Sequence, residues 1–353
     1  MPRRPVRVVH LVAALAVTAA ACASSAPDVT PAPTTEPAAP DVTPAPTTEP
    51  AAAPDDPPDA SGPTVLIALD MQDFAYPDEA AAVLERALDL HEATEVALDV
   101  YVTDTVVAAW ADSRPDLLER LASSPVAAVS YHARPPRPYA GGLDWYGLDT
   151  LGPDELAATL VAYETHAVDP VTGAPTDEPG GFAGVTATLG TPPLAAAVSA
   201  GNPAVAGTLL DVYRDLGAVM TTTHGRRVAL GETSHGLLLR PETVEIRLWE
   251  GVGAEPAAVL DAAVDEAVAL AGDEAYIGVK IHDNDFFATA SAWTTVYVED
   301  RRRPEWNPDL RAPLLGEDER AAVWALYEGL VRHVADAAVT SSNLARLVDA
   351  GAG

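Results

Sequence analysis

Short apolar runs alternate with amphipathic stretches along the chain from Thr64 onward. Three of the apolar runs stop abruptly at polar residues: Val65–Leu69 at Asp70, Val126–Tyr131 at His132, and Tyr276–Ile281 at His282. Near-continuous apolar runs of this length are typical of strands that are buried on both faces of a parallel sheet. The carboxyl ends of such strands meet at one edge, where α/β folds carry their catalytic groups. The pattern therefore predicts that the three polar clusters converge.

The amphipathic stretches between these runs predict helices. Apolar residues recur there at intervals of three and four positions, which places them on one helical face. The predicted helices are 78–90, 105–121, 155–165, 203–216, 256–268 and 317–335, and the other predicted strands are 96–102, 218–222 and 244–249. This alternation indicates an α/β fold, either a (β/α) barrel or a doubly wound sheet, and we expect a single irregular (β/α) barrel of about seven strands. No Gly-x-Gly-x-x-Gly or P-loop follows a strand, which disfavours nucleotide binding.

The amino-terminal residues resemble an export signal. Three arginines within the first seven residues precede an apolar run, Val8–Ala21, that is too short for a comfortable membrane span. Small residues then lead into Cys22, as in the lipobox of bacterial lipoproteins. We therefore predict a signal peptide over residues 1–21, acylation of Cys22, and an exported lipoprotein on the extracytoplasmic face of the cell membrane; simple signal-peptidase cleavage is the alternative. Cys22 is the only cysteine, so an intramolecular disulfide and a cysteine metal cluster are excluded.

A low-complexity segment follows the predicted signal. Residues 26–38 are repeated without change as residues 39–51, and the proline and aspartate density continues to Pro63. Such a composition cannot bury a core, so we predict that residues 22–63 form a disordered Pro/Ala/Thr-rich linker. The folded domain is then expected over residues 64–353.

The charge of the chain restricts its partners. It carries 52 Asp+Glu against 21 Lys+Arg, a formal net charge of −31, and Lys280 is its only lysine. A nucleic-acid backbone or an anionic bilayer would be repelled by such a surface. We therefore expect no nucleic-acid partner and a membrane contact through the lipid anchor only; the oligomeric state is not indicated.

Several strand ends resemble motifs of the polysaccharide deacetylase family. Asp70-Met71-Gln72-Asp73-Phe74 resembles the first motif of that family, in which one carboxylate acts as base and another binds a metal. Ser130-Tyr131-His132 falls where the family has its H-x-x-x-H metal motif, and Ile281-His282 falls where a late strand delivers the catalytic histidine. Val339-Thr340 and Asn343–Leu347 resemble the last strand and helix. The resemblance, over about residues 64 to 350, implies an extracytoplasmic hydrolase that removes acetyl groups from a cell-envelope or environmental glycan.

Roles can be assigned to these residues from the chemistry. Deacetylation needs a base to activate water, an electrophile for the carbonyl oxygen and an acid for the leaving amine. The candidate catalytic residues are Asp70, His282, Asp283 and Asp285. Asp70 or Asp73 could be the base or a ligand, His132 could be a ligand or an oxyanion partner, and His282 could be the acid, with Asp283 or Asp285 orienting it. The resemblance implies a divalent, zinc-like metal, with Asp73 and His132 as ligands. Pro136 stands where the family has its second metal histidine, so His224 or His166 is the candidate replacement.

Loop residues after the strand ends suggest a cleft for a sugar. The candidate substrate-binding residues are Arg134, Trp145, Tyr146 and Trp293. Aromatic faces suit the apolar faces of sugar rings, although these side chains could equally fix long loops to the barrel. The rival functions are a non-catalytic carbohydrate-binding or envelope lipoprotein on the same barrel, and a glycosidase that uses a pair from Asp70, Asp73, Asp283 and Asp285.

Overall fold

The computed structural model describes residues 62–351 apart from residues 136, 140–146, 170, 198–199, 201, 224–225, 296–306 and 308. The predicted signal peptide and all but the last two residues of the predicted linker lie outside the described residues. So do Cys22, Pro136, Trp145, Tyr146 and His224. Within the described part of the chain, no helix has the length and apolar character needed to cross a membrane.

Strands and helices alternate through most of the described domain. The strands are β1 Thr64–Met71, β2 Leu98–Val102, β3 Ala127–His132, β4 His166–Val168, β5 Pro175–Pro179, β6 Ala195–Ala197, β7 Met220–Thr222, β8 Thr233–Ser234, β9 Leu237–Leu239, β10 Val244–Arg247, β11 Tyr276–His282 and β12 Thr340–Ser342. The helices are α1 Pro77–Thr94, α2 Asp104–Ser113, α3 Pro115–Ser123, α4 Pro153–Thr165, α5 Gly181–Leu189, α6 Pro203–Asp215, α7 Pro256–Ala271, α8 Ala292–Thr295, α9 Glu317–Asp336 and α10 Leu344–Gly351.

The main sheet is parallel apart from one edge strand. Its order is β10-β11-β1-β2-β3-β6-β7-β9-β8, and only β8 runs antiparallel to its neighbour. The short strand β12 pairs with the first residues of β1, and β4 and β5 form a separate antiparallel pair. The predicted α/β class with a parallel sheet is confirmed, and the described path contains eight strands that run parallel from β10 to β9.

This sheet curls into a barrel. Arg240, which directly follows β9, donates a hydrogen bond from Nη2 to the backbone oxygen of Leu66 in β1, at 3.0 Å. Five strand spacings separate β1 from β9 in the sheet order, which would be about 24 Å in a flat sheet. An arginine side chain cannot span that distance. The sheet must therefore curve so that β9 and β1 face each other across a shared interior.

The carboxyl-terminal segment closes the amino end of this barrel. Leu344 donates its backbone N–H to Asp99 Oδ1 at the start of β2, at 2.8 Å. The side chains of Leu344 and Leu347 pack against interior residues that include Leu66 and Ala68 of β1. The opposite end, where the parallel strands finish, carries the predicted site residues Asp70, His132 and His282.

The helical stretch predicted around residues 105–121 is divided into two helices. The structure has two helices there, α2 and α3, and the break falls at Arg114, whose φ and ψ are −140° and 54°. Pro115 causes the break because its ring excludes a helical conformation for the preceding residue and it has no N–H to donate.

Candidate active site

Asp70, at the carboxyl end of β1, is the centre of a cluster of basic side chains. Its Oδ2 atom lies 3.5 Å from Lys280 Nζ, 3.7 Å from His282 Nε2, 3.9 Å from Arg134 Nη2 and 4.0 Å from His132 Nε2. The structure therefore brings the three predicted strand ends together around one carboxylate.

The register of the sheet explains this convergence. β1 and β11 are parallel neighbours in which Asp70 is paired with His282 and Ala68 with Lys280. Residues two apart in a strand point to the same side, so Lys280 and His282 share the interior face of β11. His132 is the last residue of β3, two strands away from β1 in the sheet.

The surroundings of Asp70 keep it ionised. Burial alone would raise its pKa, because the residue is only 2% exposed. The positive charge of Lys280, followed by those of His132, His282 and Arg134, outweighs burial and holds the pKa of Asp70 well below its usual range. A carboxylate with so low a pKa is a weak proton acceptor, so its contacts favour electrostatic stabilisation over the base role expected from the sequence.

His282 is oriented by Asp285. The Asp285 Oδ2 atom accepts the backbone N–H of His282 at 3.0 Å and lies 3.1 Å from the ring Nδ1 atom. A 3-10 turn over Asp283–Phe286 follows β11 directly and brings Asp285 back to the histidine. The ring of Trp249 packs on the imidazole at a centroid distance of 4.7 Å. With Nδ1–H donated to a carboxylate, Nε2 is the nitrogen that faces Asp70.

The Asp283 carboxylate accepts hydrogen bonds from three backbone N–H groups. Its Oδ2 atom accepts the N–H groups of Gln72 and Asp73, at 3.1 and 3.0 Å, and its Oδ1 atom accepts the N–H of Asn284 at 2.8 Å. Burial and then the neighbouring Asp73 carboxylate raise the pKa of Asp283 well above its usual range. Asp283 therefore ties the loop after β1 to the turn after β11. Of the two candidates for orienting His282, only Asp285 contacts the ring.

Asp73 is engaged in the same kind of contact. Its Oδ1 atom accepts the backbone N–H groups of Ala75 and Tyr76, at 3.0 and 3.1 Å, and its Oδ2 atom accepts that of Ala292 at 3.0 Å. These bonds shape the loop that leads into α1 and hold it against α8. The contacts of Asp73 therefore support a structural role, whereas the sequence suggested a metal ligand.

Arg134 and Trp293, two of the predicted substrate-binding residues, stack on each other beside the cluster. The Arg134 guanidinium carbon lies 4.8 Å from the centroid of the Trp293 ring, and its Nε–H donates to Gln72 Oε1 at 2.6 Å. Burial lowers the pKa of Arg134 to about 10, so it remains a cation at neutral pH. His166, in contrast, belongs to the separate β4–β5 pair, where its Nδ1 atom lies 3.0 Å from the backbone oxygen of Ala162.

The described residues do not fit the metal that the resemblance implies. Among them, no group of three histidine, cysteine, aspartate or glutamate side chains is arranged to hold a metal ion. Asp73 already accepts three backbone N–H groups. Lys280 and Arg134 both place a positive charge within 4 Å of the Asp70 oxygen, and a divalent cation at the same oxygen would be repelled by them.

A small pocket lies inside the barrel next to Asp70. Asp70, His132 and Lys280 line it together with residues that the sequence did not single out: Tyr101, Thr222, Arg240, Glu242 and Glu245. The space open to the centre of a water molecule is only about 30 Å³, enough for roughly two waters. Gly278 makes room for this lining, because a Cβ atom there would approach Glu242 Oε2 to 2.5 Å.

One signal in the sequence could have identified Lys280. It precedes His282 by two residues in a strand whose interior face carries the candidate histidine, and it is the only lysine of the chain. Arg240 and Glu245 gave no such signal, since Arg240 directly follows β9, Glu245 lies within β10, and neither strand is a long apolar run.

Comparison with known proteins finds similarity in structure only. No family model and no curated protein sequence matches the chain. The chain is similar to the solved structure of a Mycobacterium smegmatis protein assigned as a polysaccharide deacetylase, at 15% identity and a TM-score of 0.45 over 85% of this chain and 93% of that one. It is similar to the peptidoglycan deacetylase PdaC from Bacillus subtilis, at 12% identity and a TM-score of 0.38 over 83% and 92%.

A third similar structure is that of PuuE allantoinase, at 11% identity and a TM-score of 0.49 over 84% of this chain and 95% of that one. Likenesses this distant concern the fold and leave the activity of the chain to be argued from its own residues.

Proposed function

We propose that this chain is a hydrolase that removes acetyl groups from a glycan outside the cytoplasm. The observation that carries the proposal is His282, which is bonded through Nδ1 to Asp285 and directs Nε2 toward the Asp70 and Lys280 pocket. An oriented imidazole beside a fixed positive charge meets the two main demands of acyl hydrolysis, proton transfer and stabilisation of an oxyanion.

The reaction can be written with His282 as the single acid and base. Its Nε2 atom takes a proton from water as the water oxygen bonds to the acetyl carbon, and the electron pair of the C=O bond moves onto the carbonyl oxygen. The pair then returns and the C–N or C–O bond breaks. The leaving nitrogen or oxygen takes the proton from Nε2, which gives acetate and a free amine or hydroxyl.

Asp70 would stabilise the charged states of this cycle. Its carboxylate lies 3.7 Å from His282 Nε2, close enough to favour the imidazolium that forms when water gives up its proton. Asp285 holds the ring from the other side. The same arrangement argues against the glycosidase alternative, because Asp285 is occupied by His282 and Asp283 by three backbone N–H groups.

The size and lining of the pocket support an acetylated glycan as substrate. With room for roughly two waters, the pocket suits a small acyl group better than a sugar ring, so we place the ring at the mouth. Trp249 and Trp293 lie next to His282 and Arg134 and offer aromatic faces there. The location outside the cytoplasm is supported by the sequence alone, through the arginine-flanked apolar run and Cys22.

Acetate release tests the proposal. The full chain would be incubated with N-acetylated chito-oligosaccharides, O-acetylated xylan and purified peptidoglycan, and the acetate measured. We expect release by the wild type, and at least about a hundredfold lower kcat for His282→Gln and Asp285→Asn. The matched control is His333→Gln, since His333 also pairs with an aspartate, Asp261 at 2.8 Å, but on α9 and not on a strand of the barrel.

Other outcomes would contradict the proposal. Binding of a glycan without release of acetate would support the carbohydrate-binding alternative, and new reducing ends would support a glycosidase. Equal activity of His282→Gln and wild type would remove His282 from the mechanism.

A further inference from the structure

We propose that the ammonium group of Lys280 is the electrophile of this site: it binds the carbonyl oxygen of the acetyl group and stabilises the oxyanion, so that hydrolysis proceeds without a bound metal ion. This inference rests on the acetyl hydrolase function proposed above and adds the group that replaces the metal implied by the resemblance.

The position of Lys280 allows its ammonium group to contact a substrate in the pocket. Its side chain points into the barrel from β11, lines the small pocket, and is 19% exposed. It stands two residues before His282, so both side chains approach a ligand from the same strand and the same side. A carbonyl group that reaches the pocket would therefore find a proton carrier and a positive charge side by side.

Among the described residues, the ion pair of Lys280 with Asp70 leaves hydrogen-bond donors of the ammonium group for a ligand. This ion pair spans 3.5 Å, longer than the 2.7–2.9 Å typical of a charge-assisted hydrogen bond. Arg134 is less available, because it donates to Gln72 and its guanidinium stacks on Trp293. Arg240, which also lines the pocket, donates to Glu242 and to the backbone oxygen of Leu66. Lys280 is thus the cation of this cluster that can turn its N–H groups to a ligand.

The choice of lysine itself supports a specific role. Of the 21 Lys+Arg residues in the chain, Lys280 alone is lysine. An ammonium is a compact charge with three rotatable donors, whereas a guanidinium is a wide planar fork. A compact ammonium leaves more of this small pocket to an acetyl oxygen than a guanidinium at the same position would.

The role of Lys280 in the reaction is electrostatic. When water adds to the acetyl carbon, the electron pair of the C=O bond moves onto the oxygen, and the Lys280 N–H groups donate hydrogen bonds to it without transfer of a proton. The pair returns when the C–N or C–O bond breaks, and the leaving group takes its proton from His282. Removal of an oxyanion donor of this kind typically lowers kcat by a factor of about 10²–10³.

The dependence on metal is tested first. The full chain would be dialysed against EDTA, its metal content measured, and acetate release compared with and without added zinc. We expect equal rates. Loss of activity in EDTA with recovery in zinc would overturn the inference, and the proposed acetyl hydrolase function would stand. Such zinc-dependent activity would require metal ligands beyond the described residues.

A second readout does not depend on activity. In protein labelled with [¹⁵N]lysine, the single side-chain ammonium signal belongs to Lys280, since the chain has no other lysine. Titration with acetate, the proposed product, should shift this signal in a saturable way, whereas chloride at equal ionic strength should not. An ammonium signal unmoved by acetate would overturn the inference even if the protein proved to be a deacetylase.

Substitution separates a catalytic from a structural role. Lys280→Gln should lower kcat at least about a hundredfold with little change in KM, and Lys280→Arg should retain more activity than Lys280→Gln because it keeps the charge. Thermal melting of each variant is the control for folding. A Lys280→Gln protein that melts like the wild type and releases acetate at the wild-type rate would refute the assignment.

Discussion

At the scale of single residues, the site contains two pairs of nearby aspartates. In each pair, one aspartate faces the pocket or contacts His282, and the other accepts hydrogen bonds from backbone N–H groups. Asp70 points into the barrel, while Asp73, three residues later, accepts N–H groups of the following loop. Asp285 bonds His282, while Asp283 accepts the N–H groups of residues 72 and 73. Spacing alone could not separate these roles, because the 3-10 turn after β11 decides which carboxylate returns to the histidine.

The structural role of Asp73 gives a prediction about stability. Asp73→Ala leaves the buried N–H groups of Ala75 and Ala292 and the partly buried N–H of Tyr76 without their acceptor, so we expect a loss of about 2–4 kcal/mol in the free energy of unfolding. Urea unfolding would measure it. The matched control is Asp89→Ala, whose exposed pair with Arg120 should contribute less than about 1 kcal/mol. An Asp73→Ala protein of wild-type stability that releases no acetate would instead return Asp73 to the chemistry.

At the scale of elements, one buried histidine joins the helices α1 and α9. His91 of α1 is fully buried, its Nδ1 atom lies 2.9 Å from the backbone oxygen of Val96, and its Nε2 atom lies 2.8 Å from the Tyr327 hydroxyl of α9. The two rings are also in contact, with centroids 5.8 Å apart. Both ring nitrogens are thus satisfied while the ring is neutral, and a proton added to it would have no counter-charge among these partners.

This contact predicts a loss of stability in acid. Burial lowers the pKa of His91 to about 4, from 6.5 in the unfolded chain, although the bond to Val96 opposes the shift. The unfolded state therefore binds the proton first as pH falls. The contribution of neutral His91 to the free energy of unfolding is fully present above pH 6.5. It falls by about 3 kcal/mol between about pH 6.5 and 4.

Urea unfolding at a series of pH values would measure this loss. His91→Gln should flatten the stability profile between pH 6.5 and 4, because glutamine does not titrate there. His333→Gln should leave the profile as in the wild type, since His333 is on the surface and paired with Asp261. A profile in which His91→Gln and wild type lose stability in parallel would contradict the prediction.

The elements that the sequence predicted well are those with a strong pattern of their own. β1, β3 and β11 are long apolar runs, and each ends at or near the polar residue at which its run stops. β6 consists of Ala195–Ala197 and β9 of Leu237–Leu239, so neither is long enough to show a period. Their pairing comes from the barrel around them, which is why Arg240 and its neighbours in the pocket could not be foreseen.

At the scale of the whole molecule, the start of β1 and the candidate site lie at opposite ends of the barrel. Pro63 accepts a hydrogen bond from the backbone N–H of Thr340, and β1 starts at the next residue, at the end of the barrel that α10 closes. The site lies at the other end of β1, at Asp70. The first described residues therefore lie at the end of β1 opposite to the pocket, and we expect changes in the length of the predicted linker to leave the chemistry undisturbed.

The net charge of −31 leads to the last prediction, which concerns the membrane. An anionic bilayer does not attract a chain with this net negative charge. The proposed acylation of Cys22 would therefore supply its only membrane anchor. In a bacterial host, the wild-type chain should incorporate labelled fatty acid and sediment with membranes. Cys22→Ser should lose the label and move to the soluble fraction, whereas Ser24→Ala, two residues away, should behave as the wild type. Membrane association that survives Cys22→Ser would mean that the protein is held there by a partner or by an uncleaved apolar run, and the lipoprotein proposal would be abandoned.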